Sequence, residues 1–350
     1  MKALRWHGRN DIRLDDVPEP TPTAHELLVE VTWCGLCGSD LKEWQAGPVV
    51  IVGGEHPATG LRPPLTMGHE FIGTVLDRGA EVEGWERGTR VALEGEMRCG
   101  RCWHCERGDY HLCAMAAYLG FNADGGLARY VTVDPAQAIR VSDDLDDDAA
   151  ALLEPMAVAV HAMRRATLEF GDSVAVIGTG AVGLGVVAAA RARGAGLITA
   201  IDPIEARQAL ALELGADQAF SDVEQARERG YGPALQRAGG YDVVFECSGH
   251  PLSLGWATAG CRRGGVVVTV GLHGRPVTFD LNEVTMNERE IRGSLGYVRD
   301  FPRAMSLLAS GAIPAGRLIT RKTDLEHVIA DGFHELAANG PEHIKILVAP

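Results

Sequence analysis

Four cysteines lie in one fifteen-residue stretch: Cys99, Cys102, Cys105 and Cys113. Thiolates at this spacing can converge on one ion from a single loop, and four sulfur ligands are typical of a closed, structural zinc site. Two disulfides would need an oxidising compartment, which nothing else in the sequence indicates. A ferredoxin motif has three residues before a fourth cysteine that proline follows, whereas seven residues precede Cys113 and Ala114 follows it. The spacing therefore favours zinc.

A glycine-rich motif provides a second candidate site, in the segment Gly178-Thr179-Gly180-Ala181-Val182-Gly183. It follows a predicted strand and opens a predicted helix, the context in which G-x-G-x-x-G binds a dinucleotide. In such a motif the first glycine makes the tight turn, the second lets the backbone approach a pyrophosphate, and the third allows close packing of helix and strand. The N-terminus of the helix supplies N–H donors for the phosphates. Gly178, Gly180, Val182 and Gly183 are therefore candidate cofactor-binding residues.

Asp202 ends the next predicted strand. A carboxylate there can accept hydrogen bonds from both ribose hydroxyls and would repel a 2′-phosphate, which favours NAD over NADP. Aspartate at a strand end is also a common helix N-cap. Arg207, one turn into the following helix, could flank the adenosine or be an ordinary solvated arginine.

These motifs lie in two regions of different character. Up to about residue 145 the chain is rich in glycine, proline and short β-like runs, which predicts an irregular, mostly β domain. From Ser173 apolar strands alternate with helices, which predicts a parallel sheet buried on both faces. The expected domains are a catalytic domain at 1–147 and 297–350 and a nucleotide domain at 148–296. The predicted strands of the second domain are Ser173–Ile177, Leu197–Ile201, Tyr241–Glu246 and Gly265–Val270, and its first helices are Ala181–Arg193 and Ile204–Leu214.

Composition excludes several classes of protein. The formal charge of −14 argues against nucleic acid or an anionic membrane as a partner. The longest apolar run, Ala181 to Ala190, is half the length of a membrane span. The first residues lack the apolar stretch of a signal peptide, and the cysteine usage is typical of a reducing compartment, so we expect a cytoplasmic protein.

Two further segments contain candidate metal ligands: Cys34-Gly35-Leu36-Cys37-Gly38-Ser39-Asp40 and Gly68-His69-Glu70. Together with the four cysteines and the glycine loop, they resemble the zinc-dependent medium-chain alcohol dehydrogenase family over the whole chain. The resemblance implies an α/β fold with a Rossmann nucleotide domain, a doubly wound parallel sheet, and a mostly β, GroES-like catalytic domain. The segments most similar to the butanediol and polyol dehydrogenase branch are Leu153–Ala159, the insert Gln45–Met67, Ile291–Tyr297 and Ile344–Val348.

By this resemblance a catalytic zinc is bound by Cys37 and His69, with Glu70 and Glu154 as ligands or as partners of the bound water. Without the resemblance, Cys34 and Cys37 could be a redox pair or half of a zinc ribbon, but the chain has no second pair to complete a ribbon. The resemblance thus implies two Zn²⁺ per chain, one catalytic and one structural.

The resemblance also assigns roles around the zinc. Ser39 matches the residue that contacts the substrate oxygen and starts a proton relay. Many relatives have a histidine three residues later, where this chain has Lys42, so either Lys42 or solvent would receive the proton. Two backbone stretches would contact the nicotinamide: Val270, Gly271 and Leu272, and Ser294, Leu295 and Gly296. The side chains of Tyr297 and His56 would contact the substrate.

The function expected from this resemblance is hydride transfer between NAD and a secondary alcohol or ketone. The insert favours a vicinal diol such as 2,3-butanediol, with acetoin as the product. A sorbitol-type polyol or L-threonine is the alternative substrate, and a non-catalytic nucleotide-binding protein on the same fold is the alternative from another class. The family forms homo-oligomers, which implies a dimer or a tetramer.

Overall fold

The computed structural model describes all residues from Met1 to Pro350 and divides into two compact units. Unit 1 comprises Met1–Glu154 and Pro314–Pro350, and unit 2 comprises Pro155–Ile313. Both boundaries lie later in the chain than the predicted residues 147 and 296. The second boundary lies later because the segment after residue 297 is held in unit 2 by Asp300, as described below.

The strands are short and, in unit 1, mostly antiparallel. In chain order they are β1 Lys2–Gly8, β2 Asp11–Asp16, β3 Leu27–Leu36, β4 Leu65–Thr66, β5 Glu70–Arg78, β6 Arg90–Leu93, β7 Glu96–Met97, β8 Ala117–Tyr118, β9 Tyr130–Val133, β10 Ala138–Arg140, β11 Ser173–Ile177, β12 Leu197–Ile201, β13 Gln218–Phe220, β14 Tyr241–Glu246, β15 Cys261–Thr269, β16 Glu290–Gly293, β17 Ile319–Asp324 and β18 Lys345–Ala349.

The helices are concentrated in unit 2. The α-helices are α1 Gly38–Ala46, α2 Trp103–Glu106, α3 Asp147–Ala150, α4 Leu153–Arg165, α5 Ala181–Ala192, α6 Glu205–Glu213, α7 Val223–Gln225, α8 Pro233–Ala238, α9 Ser253–Gly260, α10 Asn282–Thr285, α11 Phe301–Ala309, α12 Ala315–Leu318 and α13 Glu335–Asn339. Three 3₁₀ turns and two π-helical segments complete the set: Tyr110–Leu112, Pro135–Gln137 and Gly340–Glu342, and Ala226–Gly230 and Val328–His334. No helix combines the length and the apolar character needed to cross a membrane.

Strand β3 is the centre of unit 1. Its main sheet has the order β10-β6-β5-β3-β18-β17. Along one edge β3 pairs with β5, and along the other it pairs first with β9 and then with β18. Buried side chains alternate with half-buried ones through its first half, the pattern of a strand with one face in the core. The β3 strand is thus fixed on both edges where it reaches Cys34 to Leu36.

Unit 2 contains the predicted parallel sheet, in the order β13-β12-β11-β14-β15-β16. Four consecutive residues of β11 are buried, as expected for a strand with both faces covered. Helix α5 packs on β11 and β12, and α9 packs on β14 and β15. The predicted strands are confirmed, with β15 beginning at Cys261 and ending at Thr269 rather than covering Gly265–Val270.

A buried charged cluster holds α11 in unit 2. The carboxylate of Asp300 is fully buried and accepts hydrogen bonds from Arg164 Nη1 at 2.6 Å and from the Val298 N–H at 3.0 Å, and it lies 2.9 Å from His161 Nδ1. Burial alone would raise the pKa of Asp300, but the hydrogen bonds from His161, Val298 and Arg164 outweigh it and lower this pKa. The charged carboxylate therefore stabilises the folded unit.

We expect Asp300→Asn to lower the free energy of unfolding at pH 7 by about 2–4 kcal/mol, because it leaves buried donors without their charged acceptor. The pKa of Asp300 is lower in the folded protein, so its stabilisation is present above the ordinary aspartate pKa and is lost as the pH falls. The gap between variant and wild type should therefore shrink below about pH 4. Urea unfolding between pH 7 and pH 3 measures both effects. Glu224→Gln, at an exposed position of unit 2, is the control and should behave like wild type.

Candidate active site and metal centres

The four cysteine sulfurs form one cluster in unit 1. The Sγ atoms of Cys99, Cys102, Cys105 and Cys113 all lie within 4.8 Å of one another. Cys102 Sγ is 3.5 Å from Cys105 Sγ and 3.9 Å from Cys113 Sγ. Sulfurs bound tetrahedrally to zinc at about 2.3 Å are about 3.8 Å apart, whereas disulfide sulfurs are about 2.0 Å apart. The cluster therefore fits a four-thiolate metal site, and none of the eight cysteines is in a disulfide.

Backbone N–H groups stabilise negative charge on two of these sulfurs, those of Cys102 and Cys113, whereas burial and the neighbouring thiols raise the pKa of Cys105 to about 12. The N–H groups of Ala114 and Cys105 stabilise the thiolate of Cys102 and lower its pKa to about 6. Cys113 Sγ lies 3.3 Å from the N–H groups of both Cys99 and Met115. Because the thiolate is the form that binds metal, the loop favours metal binding through its own backbone.

A second group of ligand atoms lies elsewhere in unit 1. Cys37, His69 and Glu70 each place one ligand atom within 4.8 Å of the other two. One thiolate, one imidazole and one carboxylate are all zinc ligands, and three protein ligands with an open fourth position characterise catalytic zinc. The residues present therefore fit a catalytic zinc ion, in contrast to the closed set of four cysteines.

The sheet and two turns position these ligands. Cys37 follows the last residue of β3 and is the N-cap residue of α1. His69 and Glu70 lie where a tight turn enters β5. Gly68 makes this turn with a φ of +95°, and a Cβ there would lie 2.6 Å from Cys34 Sγ. Burial raises the pKa of Cys34 well above its ordinary value, which indicates a packing thiol and not a reactive one.

Asp40, which no motif in the sequence singles out, orients two of the ligands. Its fully buried carboxylate accepts a hydrogen bond from the Cys37 N–H at 2.9 Å, and its other oxygen lies 3.4 Å from His69 Nδ1. Burial disfavours a protonated His69, but Asp40 and Cys37 outweigh it and raise the pKa of His69 well above its usual value. A carboxylate behind a ligating histidine fixes the ring and leaves the other nitrogen for the metal.

That other nitrogen faces Ser39. Ser39 Oγ lies 3.3 Å from His69 Nε2, in the first turn of α1. The predicted relay serine is thus beside the predicted metal ligand. Lys42 is exposed on the same helix.

Lys345 is a second residue that sequence reasoning missed. Its ammonium group is buried and donates to Glu70 Oε2 at 2.5 Å and to the Leu36 carbonyl oxygen at 3.1 Å. Burial would lower the pKa of Lys345, but the negative charges of Glu70 and Cys37 outweigh it and raise this pKa, so the lysine remains charged. The Glu70 carboxylate of the candidate metal site is thus also bound by the buried ammonium group of Lys345.

Three predicted residues lie outside this group. Glu154, at the start of α4, is not among the three clustered ligands, although its charge raises the pKa of Lys345. His56 is buried in a turn and accepts the Ala58 N–H on Nδ1 at 3.2 Å. Tyr297, in unit 2, is buried and packs edge-on against Phe301, with ring centroids 5.1 Å apart. The proposed roles of these residues in metal or substrate binding stay predictions.

The glycine loop of unit 2 has the geometry that the motif predicts. Gly178 turns the chain after β11 with a φ of +88°, and a Cβ there would lie 2.8 Å from Ser248. A Cβ on Gly183 would collide with the carbonyl oxygen of Gly178, so only glycine at this position lets the first turn of α5 pack against the loop. Gly180, the N-cap residue of α5, has open space where a Cβ would be, which is room for a ligand at the helix N-terminus.

Two buried acids brace the loops at this end of the sheet. Asp202 accepts the Thr179 N–H at 2.8 Å and the Ile204 N–H at 3.0 Å, which joins the loop to the end of β12. Glu246, which the sequence analysis did not select, accepts the N–H groups of Ser248 and Gly249, both at 2.8 Å. Both acids end parallel strands, so their carboxylates lie at the edge of the sheet where α/β proteins bind nucleotides.

The predicted nicotinamide contacts follow the next two strands. The N–H groups of Val270 and Gly271 both bind the Glu246 carbonyl oxygen. Ser294 donates its N–H to Thr269, and the side chains of Leu272 and Leu295 are exposed. Gly296 has a φ of +51°. Arg207 is half-buried on α6.

Comparison with known proteins identifies the family. A family model for the alcohol dehydrogenase GroES-like domain matches residues 23–143, and one for zinc-binding dehydrogenases matches residues 181–310. The chain is 37% identical to (R,R)-butanediol dehydrogenase of Bacillus subtilis, over 100% of both sequences. It belongs to the zinc-dependent alcohol dehydrogenase family. The dehydrogenase is thus an oxidoreductase that acts on an alcohol, and the predicted Rossmann and GroES-like folds are confirmed.

Two further relatives are informative. Sorbitol dehydrogenase of Bacillus subtilis is 32% identical over 100% of this chain and 97% of its own. A solved structure from Sinorhizobium meliloti, named as a zinc-binding dehydrogenase and bound to NADP, is 33% identical. It superimposes with a TM-score of 0.87 over 100% of this chain and 99% of that one.

We expect Gly183→Ala to destabilise the dehydrogenase by at least about 2 kcal/mol, because the new methyl group meets a backbone carbonyl that cannot move aside. The control is Gly180→Ala, which adds the same methyl group in open space with a φ of −68° and should change stability by less than about 0.5 kcal/mol. Thermal unfolding of both variants measures the difference. Equal losses would contradict the assigned packing role of Gly183.

Proposed function

We propose that this dehydrogenase transfers hydride between NAD and a secondary alcohol, and that its substrate is a vicinal diol such as 2,3-butanediol, oxidised to acetoin. The observation that carries the proposal is the Cys37–His69–Glu70 group, a three-residue donor set beside the hydroxyl of Ser39. The 37% identity to a butanediol dehydrogenase over the full length supports the diol. The 32% identity to a sorbitol dehydrogenase makes a polyol the second candidate.

We assign two zinc ions to each chain. The four cysteines would hold a structural ion in a closed set, and Cys37, His69 and a carboxylate of Glu70 or Glu154 would hold the catalytic one. When bound, zinc supplies Lewis acidity that lowers the pKa of a substrate hydroxyl.

The residues around the proposed catalytic zinc have separate roles in orienting its ligands and in moving the proton. Asp40 holds the His69 ring, so that Nδ1 faces the carboxylate and Nε2 faces Ser39. Ser39 Oγ can accept the hydroxyl proton of the alcohol and pass it outwards, because a serine hydroxyl both accepts and donates. Exposed Lys42, one turn further along α1, or solvent would then receive the proton.

The cofactor preference rests on Asp202. Its carboxylate lies at the end of β12, is almost fully buried, and is anchored to the glycine loop. A negative charge in this place favours the ribose hydroxyls of NAD over the 2′-phosphate of NADP.

We also propose a homo-oligomer in a reducing, cytoplasmic setting. Strand β16 is the last strand of the sheet in unit 2, and its outer edge has no strand partner. The exposed apolar side chains of Leu281, Met286 and Ile291 lie on or just before this strand. An open edge with apolar neighbours is a surface suited to pairing with a second copy. The absence of disulfides among eight cysteines agrees with the compartment.

The two metal sites should be separable by single substitutions. The wild type should contain two zinc ions per chain by atomic emission. Cys37→Ser should lose one ion and at least about 100-fold in kcat while keeping its melting temperature, because only the open site is lost. Cys105→Ser should also lose one ion but should lower the melting temperature, because a structural zinc contributes folding free energy. Two retained ions with full turnover in Cys37→Ser would rule out the assignment.

The substrate is tested by NADH formation with a panel of alcohols: (2R,3R)-, meso- and (2S,3S)-butanediol, sorbitol, xylitol and L-threonine. We expect one butanediol isomer to exceed sorbitol in kcat/KM by at least about tenfold, since one extra group in a pocket changes selectivity by about 1–3 kcal/mol. A preference for sorbitol would replace the diol by a polyol. No activity, with two zinc ions per chain, would point to a nucleotide-binding role.

A further inference from the structure

Glu70 is shared between two positively charged partners. One of its oxygens lies in the ligand group with Cys37 and His69, and Oε2 is bound by Lys345. Assuming the catalytic zinc proposed above, with Glu154 as its carboxylate ligand beside Cys37 and His69, we propose that Lys345 is a positioning residue. It restrains Glu70 from binding this zinc and thereby keeps the fourth position open for substrate.

The sheet gives Lys345 this position by register. Gly35 of β3 lies opposite Glu70 of β5 on one side and opposite Leu347 of β18 on the other. A Cβ on Gly35 would lie 2.6 Å from Glu70 Oε2 and 3.2 Å from Lys345 Cδ. Because Gly35 has no side chain, the lysine can extend from β18 across β3 and reach the carboxylate on β5.

Burial makes the restraint matter. Glu70 is 1% exposed and Lys345 is 3% exposed, so water does not stabilise either charge. The ammonium group also donates to the Leu36 carbonyl oxygen, which carries no full charge. If Lys345 lost its charge, the nearest cation for the buried Glu70 carboxylate would be the metal ion. Glu70 would then bind the metal as a fixed ligand, and with Cys37, His69 and Glu154 the site would become a closed, four-ligand site.

The experiment measures access to the metal directly. Cobalt(II) replaces zinc in the wild type and in Lys345→Met, and imidazole serves as the probe that binds an open coordination position. In the wild type, imidazole should shift the visible cobalt bands of the open site, while the bands of the closed four-cysteine site stay constant. In Lys345→Met the affinity for imidazole should fall at least about tenfold. A chelator should also remove zinc from this variant at least about tenfold more slowly than from the wild type. These magnitudes follow from other residues behind metal ligands, whose substitution changes metal affinity by about 10–100-fold.

Two variants complete the design. Lys345→Met with Glu70→Gln removes both buried charges, so it folds even if the single variant does not, and its imidazole response should return to the wild-type value. Lys322→Met is the matched control: Lys322 lies on the neighbouring strand β17 and pairs with Asp148 near the surface, so it should respond like wild type.

The outcomes separate the two proposals. An unchanged imidazole response in Lys345→Met, or a response still lost in the double variant, would overturn the role of Lys345 while the zinc site stands. A wild-type cobalt enzyme that does not respond to imidazole at all would instead overturn the open catalytic site itself.

Discussion

The hydrogen-bond register of β3 is the constraint on which the catalytic unit depends. This one strand ends at Leu36, directly before Cys37; it pairs with Glu70 of β5 on one edge and with β18 on the other. Side chains alternate between the two faces of a strand, so a slip of one residue would move each of them to the opposite face. The ligand group therefore exists only in one pairing of β3 with β5, and the contact of Lys345 with Glu70 also needs one pairing of β3 with β18. The return of the C-terminal segment to unit 1 is what supplies the third strand.

The two metal-binding groups are built by different means. The cysteine cluster comes from one loop, so local backbone N–H groups can stabilise its thiolates without help from the sheet. The Cys37 group combines three ligand types from a strand end and a turn, and charged residues behind it, Asp40 and Lys345, are themselves buried. Local construction suits the structural ion proposed for this cluster. A site that must admit substrate needs rigid support from outside the ligand set, because its fourth position cannot be used for holding the metal.

Sequence reasoning predicted what depends on short-range pattern. The strand–glycine–helix order around Gly178 and the clustered cysteines each lie within one segment, and the structure places both as expected. Asp40 was visible only as an acid in the first turn of α1, and nothing in its neighbours showed that it would lie behind His69. The contact between Lys345 and Glu70 joins residues that are 275 positions apart, and it depends on the register of β3 with both neighbours. The place of the segment after residue 297 in unit 2 depends on equally distant contacts, because the partners of Asp300 lie on α4, about 140 residues earlier.

The balance of charges at the end of β12 bears on the choice of cofactor. Asp202 uses both oxygens to accept backbone N–H groups, yet a carboxylate offers about four acceptor sites, so it can still receive ribose hydroxyls. Two like charges at about 4 Å, in an effective dielectric constant of about 20, repel by about 4 kcal/mol, which is close to a thousandfold in affinity. One half-buried arginine such as Arg207 would offset about 1 kcal/mol of this if it behaves as an exposed ion pair. A structural relative of similar fold does bind NADP, so the fold itself permits either cofactor. We therefore propose that the discrimination comes from the charges at this strand end, where the fixed carboxylate of Asp202 would outweigh the arginine.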